Sequence, residues 1–141
     1  NIYKSLNLCD LTQKLNFKDN SFDAIVCAGT FTCGHVGPEA LYEMVRIAKS
    51  KGFICFTVRK QEWELSPYEK IIKDLENSNL WKKIEHHASN YNTKEGINCQ
   101  LCLIKLLNKN NNLSGSQLVS LLYPSFLVLS NIGGLKRCKT L

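Results

Sequence analysis

The sequence has no apolar run long enough to cross a membrane, no second pair of closely spaced cysteines and no acidic residue after position 107. The longest apolar stretch, Leu118–Ile132, falls short of the roughly 20 residues a membrane-spanning helix needs, and Pro124 interrupts it, so no membrane span is expected. Cys99-Gln-Leu-Cys102 stands alone in an extended segment, where positions i and i+3 face opposite ways. Metal knuckles and redox pairs need a turn or helix N-terminus, so buried thiols explain this pair better and no metal is expected. The seven cysteines form an odd set without a secretory signal ahead of them, which implies reduced thiols, no disulfide framework and an intracellular, cytoplasmic protein. A hydrolase nucleophile elbow, a Walker loop and an H-E-x-x-H helix are also missing.

What is present suits a single globular domain: 141 residues, 44% apolar and 21% charged. The net charge of +6 is unevenly placed, with +2 on residues 1–107 and the remainder on Lys109, Lys136, Arg137 and Lys139. The basic cluster at 136–139 lacks interleaved aromatics, so nucleic-acid binding is not expected. Residues 108–117 read as a polar linker and residues 118–141 as an apolar and basic tail of unknown role. The chain opens on Asn1 and has its single Met at position 44, so residues 1–107 read as the later part of a larger domain.

Within residues 1–107, short apolar runs alternate with helical patterns. Ser5–Leu8 and Phe22–Ala28 read as strands, the second introduced by the turn-forming Lys18-Asp-Asn-Ser21. Gly37-Pro38 opens a helix whose apolar face is Leu41, Met44, Val45 and Ala48, with Gly52 as its stop. Phe53–Val58 is a further buried strand. Ser66-Pro-Tyr-Glu69 has capping-box spacing and starts a helix buried through Tyr68, Ile71, Ile72 and Leu75. Trp81–Tyr91 and Ile97–Leu107, joined by Asn92–Gly96, form an antiparallel hairpin. The fold class is therefore α/β, with parallel strands and a reversed last strand in a mixed sheet.

Open α/β sheets bind ligands at the carboxyl ends of their strands, which here are Cys9-Asp-Leu11, Ala28-Gly-Thr-Phe31 and Arg59-Lys60. Asp10 can accept from a ligand amino group or cap a turn. Gly29 can admit a ligand against the backbone or simply end a strand. His35, in the loop before the first helix, is the candidate for general-base work or substrate contact, a packing role being the alternative. His86 and His87 point to opposite strand faces and cannot chelate one ion.

Cys9-Asp-Leu11, Leu15–Val26 with its Phe17-Lys-Asp-Asn-Ser-Phe-Asp23 core, Gly29…His35-Val36, Ala40–Lys49 and Gly52-Phe-Ile54 together resemble the second half of a class I S-adenosylmethionine-dependent methyltransferase. The resemblance implies a partial Rossmann-like fold whose N-terminal strands are missing. It also implies S-adenosyl-L-methionine as cofactor and an unidentified methyl acceptor, small molecule or protein. By the same resemblance, Asp10 accepts from the adenine amino group and the Leu11 N–H faces the ring. Ala28, Gly29 and Thr30 pass beside the methionyl part, and Thr30–His35 shape the acceptor side. Lys49-Ser-Lys-Gly52 stands where the family has K-P-G-G, and the glycine-rich loop and ribose-binding acid have no counterpart. Two functions follow from this pattern: a methyltransferase, or a catalytically inactive truncated module that at most binds a partner.

Overall fold

In the computed structural model, residues 4–92, 96–109, 126–132 and 135–140 are described. Strand β1 is Ser5–Leu8, and β2 is Phe22–Phe31. Helix α1, Ala40–Ile47, leads directly into β3, Ala48–Arg59. Helices α2, Lys60–Leu65, and α3, Tyr68–Asn77, precede β4, Trp81–Asn92, and β5, Ile97–Leu106. Strands β6, Phe126–Ile132, and β7, Leu135–Thr140, complete one seven-stranded sheet in the order β1-β7-β6-β2-β3-β5-β4. The mixed α/β class, the antiparallel β4–β5 hairpin and the parallel β2–β3 pair agree with the sequence reading.

The largest departure concerns the C-terminal stretch. Part of what reads as a tail at 118–141 supplies β6, parallel to β2, and β7, antiparallel to both β6 and β1. The apolar Phe126–Leu129 segment pairs residue for residue with Ala24–Cys27, and Leu127 and Leu129 are fully buried. Burial of these side chains beside Ile25 and Cys27 draws the segment into the sheet. Most of the polar linker, residues 110–117, and the turn residues 93–95 lie outside the described residues. At the start of that linker, the Lys109 ammonium donates to the carbonyls of Val45 and Ala48 at the C-terminal end of α1, where the helix dipole favours a cation.

Other differences are local. Helix α1 ends at Ile47, because Ala48 is already extended, and Gly52 lies inside β3. Lys49–Gly52 bulges out of the β2–β3 ladder, with Lys51 at φ 64°, which brings Gly52 against its neighbour strand. A Cβ at Gly52 would stand 2.6 Å from the Asp23 carbonyl oxygen and 3.0 Å from that of Lys49. Gly52→Ala is therefore expected to cost about 1–3 kcal/mol through backbone displacement, seen as a lower urea midpoint at unchanged m-value. The expected capping box is not made: Pro67 occupies the N-cap position, and the Ser66 hydroxyl donates to Glu62 instead. Helix α2 has no counterpart in the sequence reading, its six residues being too few to show a helical period.

The core lies between the helices and one face of the sheet. Ile25, Cys27, Ile54, Phe56, Val58, Cys102, Ile104 and Leu106 are buried on that face. The rings of Phe56, Phe31 and Tyr68 of α3 meet edge to face. On the opposite face Val26 and Phe53 are 39% and 42% exposed, the alternation expected of strands covered on one side.

Candidate functional site

Strands β1, β6, β2 and β3 run in the same direction, so their carboxyl ends share one edge of the sheet. Leu8, Arg137, Ser130 and Ala28 are register partners in one row across it. Asp10 and Gly29 extend just beyond this row on strands three places apart, a lateral separation of about 14 Å at the usual strand spacing.

Each sequence-derived candidate has a definite place on this edge. Asp10 is exposed, and its Oδ1 accepts from the N–H of Thr12 at 3.0 Å and from its hydroxyl at 2.8 Å, which fixes the carboxylate in an Asx turn. Leu11 sends its side chain into the core, leaving only its backbone for the edge. Ala28 is exposed. Gly29 has φ 70°, and its N–H donates to the Thr57 hydroxyl oxygen at 3.2 Å. That left-handed residue breaks the strand period: between Cys27 and Phe31 the β2 register slips against β3, and Thr30 and Phe31 are both buried. The Thr30 hydroxyl lies in the interior beside the Cys27 thiol and meets no other hydrogen-bond partner among the described residues, so only the backbone of Thr30 faces the edge. His35 is exposed in the loop after β2, with its N–H donating to the Thr32 carbonyl.

Sequence reasoning overlooked Thr57, although it is the single hydroxyl in the Phe53–Val58 run. It lines a small niche with Gly29, Phe31, Thr32, Arg59 and Cys99, about 10 Å³ in volume. Beside the niche lies an open cleft of about 490 Å³, lined by Lys60, His87, Asn90, Asn98, Cys99 and Gln100. These two depressions meet at Cys99, opposite Arg59 in the β3–β5 ladder.

The thiols are not poised for nucleophilic work. Burial raises the Cys99 and Cys55 thiols, and pushes Cys27 and Cys102 up to about 12. Cys33, after β2, is raised by partial burial and by the Glu62 carboxylate beside it. All five therefore stay protonated at neutral pH. Cys9 is disulfide-bonded, which corrects the expectation that every thiol is reduced. Cys99 and Cys102 are buried and free, and among the described residues no group of three or more metal-ligating side chains occurs. His86 lies against Trp63, with ring centroids 4.9 Å apart, while His87 pairs with Glu85 at 3.1 Å, so the two histidines serve separate contacts.

Residues 4–56 match the family model of a methyltransferase domain. The matched stretch runs from β1 through most of β3 and contains Asp10, Leu11, Ala28, Gly29, Thr30 and His35. It supports an enzyme of the methyltransferase kind, built on a mixed α/β sheet that fits part of such a fold. No curated protein matches the chain. A narrower likeness, of Leu6–Cys9, Phe22–Ala24, Val26–Gly29, Gly52–Arg59 and Asn79–Trp81 to methyltransferase-like protein 27, is accordingly unsupported. Among the described residues no helix is long and apolar enough to cross a membrane.

Proposed function

We propose that the chain performs methyl transfer from S-adenosyl-L-methionine, as a class I, Rossmann-like methyltransferase, at the carboxyl edge of β1, β2 and β3. The observation that carries this reading is the methyltransferase-domain match over those three strands, whose members generally use this cofactor. The donor chemistry at the edge suits such a ligand. Asp10 offers a carboxylate to an amino group, the Leu11 backbone stands beside it, and Ala28, Gly29 and the Thr30 backbone offer a surface without bulky side chains. His35 stands on the acceptor side.

Bound S-adenosylmethionine supplies an electrophilic methyl group on a sulfonium. The contribution of the chain is alignment and electrostatics, because methyl transfer needs the nucleophile, carbon and leaving sulfur in line more than it needs a strong base.

A second reading, a catalytically inactive module that binds a partner, is favoured by the small volume at Gly29, about 10 Å³, room for about one water and not for a nucleoside. Isothermal titration of the chain with S-adenosylmethionine decides between them. Under the first reading the wild type binds, and Asp10→Ala weakens binding about tenfold, the loss of one hydrogen bond to a charged group. A wild type that shows no heat with the cofactor leaves only the inactive module.

A further inference from the structure

We infer that the groove along Arg59, Lys60 and the β4–β5 hairpin binds the anionic group of a small-molecule methyl acceptor, with Arg59 as the residue that grips it. This rests on the methyltransferase reading for the word acceptor, and on the groove itself for the anion.

The case for Arg59 comes from how this fold treats its other half-buried cations. Arg46 is fully engaged, by Glu43 and Asp19 and by the carbonyls of Leu15 and Phe17. Lys49 pairs with Asp23 at 2.8 Å, and the Lys109 ammonium is ringed by backbone carbonyls. Arg59 is half-buried too, yet among the described residues no carboxylate lies within ion-pair distance of it. It closes β3 opposite Cys99, on a rigid ladder, at the point where the niche beside Gly29 opens toward the hairpin. At the ligand edge of the sheet, where Arg59 lines both the niche and the neighbouring cleft, a planar guanidinium is suited to a carboxylate or phosphate by two parallel hydrogen bonds.

The rest of the groove is built for one anion on a polar body. Arg59 also lines a neighbouring cleft of about 380 Å³ with Lys60, Gln61, Glu64 and Asn98, and the larger cleft adds His87, Asn90 and Gln100. The amides of Gln61, Asn90, Asn98 and Gln100 on these walls offer both donors and acceptors. Lys60 is 61% exposed and meets Glu64 only at 3.8 Å, a contact of little energy that leaves its charge available. Glu64 on the rim and Glu85 beside His87 place negative charge on either side, which disfavours an extended polyanion and leaves room for a single anionic group.

The test uses the chain alone, without cofactor, titrated with succinate and, separately, with inorganic phosphate while amide shifts are followed by NMR. Perturbed amides at Arg59, Lys60, Asn98 and Gln100, and binding weakened tenfold or more by Arg59→Ala but less by Arg59→Lys, are expected. Lys73→Ala, on α3 away from the groove, should bind as wild type does. Preference for succinate assigns a carboxylate, and preference for phosphate a phosphoryl group. If neither anion shifts these amides, or if a folded Arg59→Ala binds like wild type, the inference is overturned. Anion binding that persists where S-adenosylmethionine shows none removes the methyl-transfer reading while the anion site stands, so the two failures are separable.

Discussion

Trp81→Ala should lower the unfolding free energy by about 3–5 kcal/mol, a large part of what a domain of this size has. Trp81 is 1% exposed and is the largest fully buried side chain in the chain. Its indole Nε1 donates to the Ile72 carbonyl of α3 at 3.1 Å, so one side chain joins the start of β4 to the helix before it. Deleting it opens a cavity against α3 that rigid strands on the other side cannot collapse to fill. Trp81→Phe keeps much of the apolar volume and loses the donor, and should cost about 1–2 kcal/mol. Urea denaturation followed by circular dichroism measures both. Similar stabilities for the two variants would show that the indole hydrogen bond, and not the packing, holds this end of the hairpin.

Arg46→Met should cost about 3 kcal/mol, because it strands a carboxylate that is mostly buried. The Arg46 guanidinium donates from Nη2 to Glu43 at 2.5 Å and to the Leu15 carbonyl at 3.0 Å, and from Nη1 to the Phe17 carbonyl at 2.8 Å. One cation thus ties α1 to the loop between β1 and β2. The same guanidinium holds the Glu43 carboxyl below the usual carboxylate range, and the Leu15 N–H adds to this. A lowered folded-state pKa gives stability that is complete above the unfolded value and is lost as pH falls through the folded one. Wild-type stability should therefore fall steeply below about pH 4, where free glutamate titrates, and Glu43→Gln should flatten that slope. In a double-mutant cycle, Glu43→Gln should recover part of the loss in Arg46→Met, since it removes the unpaired charge. Strict additivity of the two substitutions would show that they do not act on one another.

Legibility in the sequence followed the strength of the local signal. The strands at Phe22, Phe53 and Trp81 and the helices at Leu41 and Tyr68 were legible because each buries a continuous apolar run or a clean i, i+3, i+4 stripe. The candidate edge was legible as well, since ligand-facing residues follow directly on strand ends. Helix α2 was not: its one buried residue is Glu62, and Trp63 packs sideways on Tyr68 and His86, so the segment carries no apolar period. The Ser66–Glu69 cap failed for a related reason, because a nearer partner, Glu62, competes for the Ser66 hydroxyl. Thr30 illustrates the limit at the site itself. By alternation from Ala28 it should face outward, and the left-handed Gly29 turns it inside.

By itself the sequence determined the α/β class, the reversed hairpin and the residue types at the ligand edge, since these depend on period, turn chemistry and strand ends within a few residues of each other. Tertiary structure alone decided that β6 and β7 lie between β1 and β2, because a strand's neighbours are set by which buried faces it completes across the whole chain. It also decided that Arg59, unlike Arg46, meets no carboxylate among the described residues. Pairing of charges depends on distances that only the folded sheet establishes, and no spacing along the sequence encodes them.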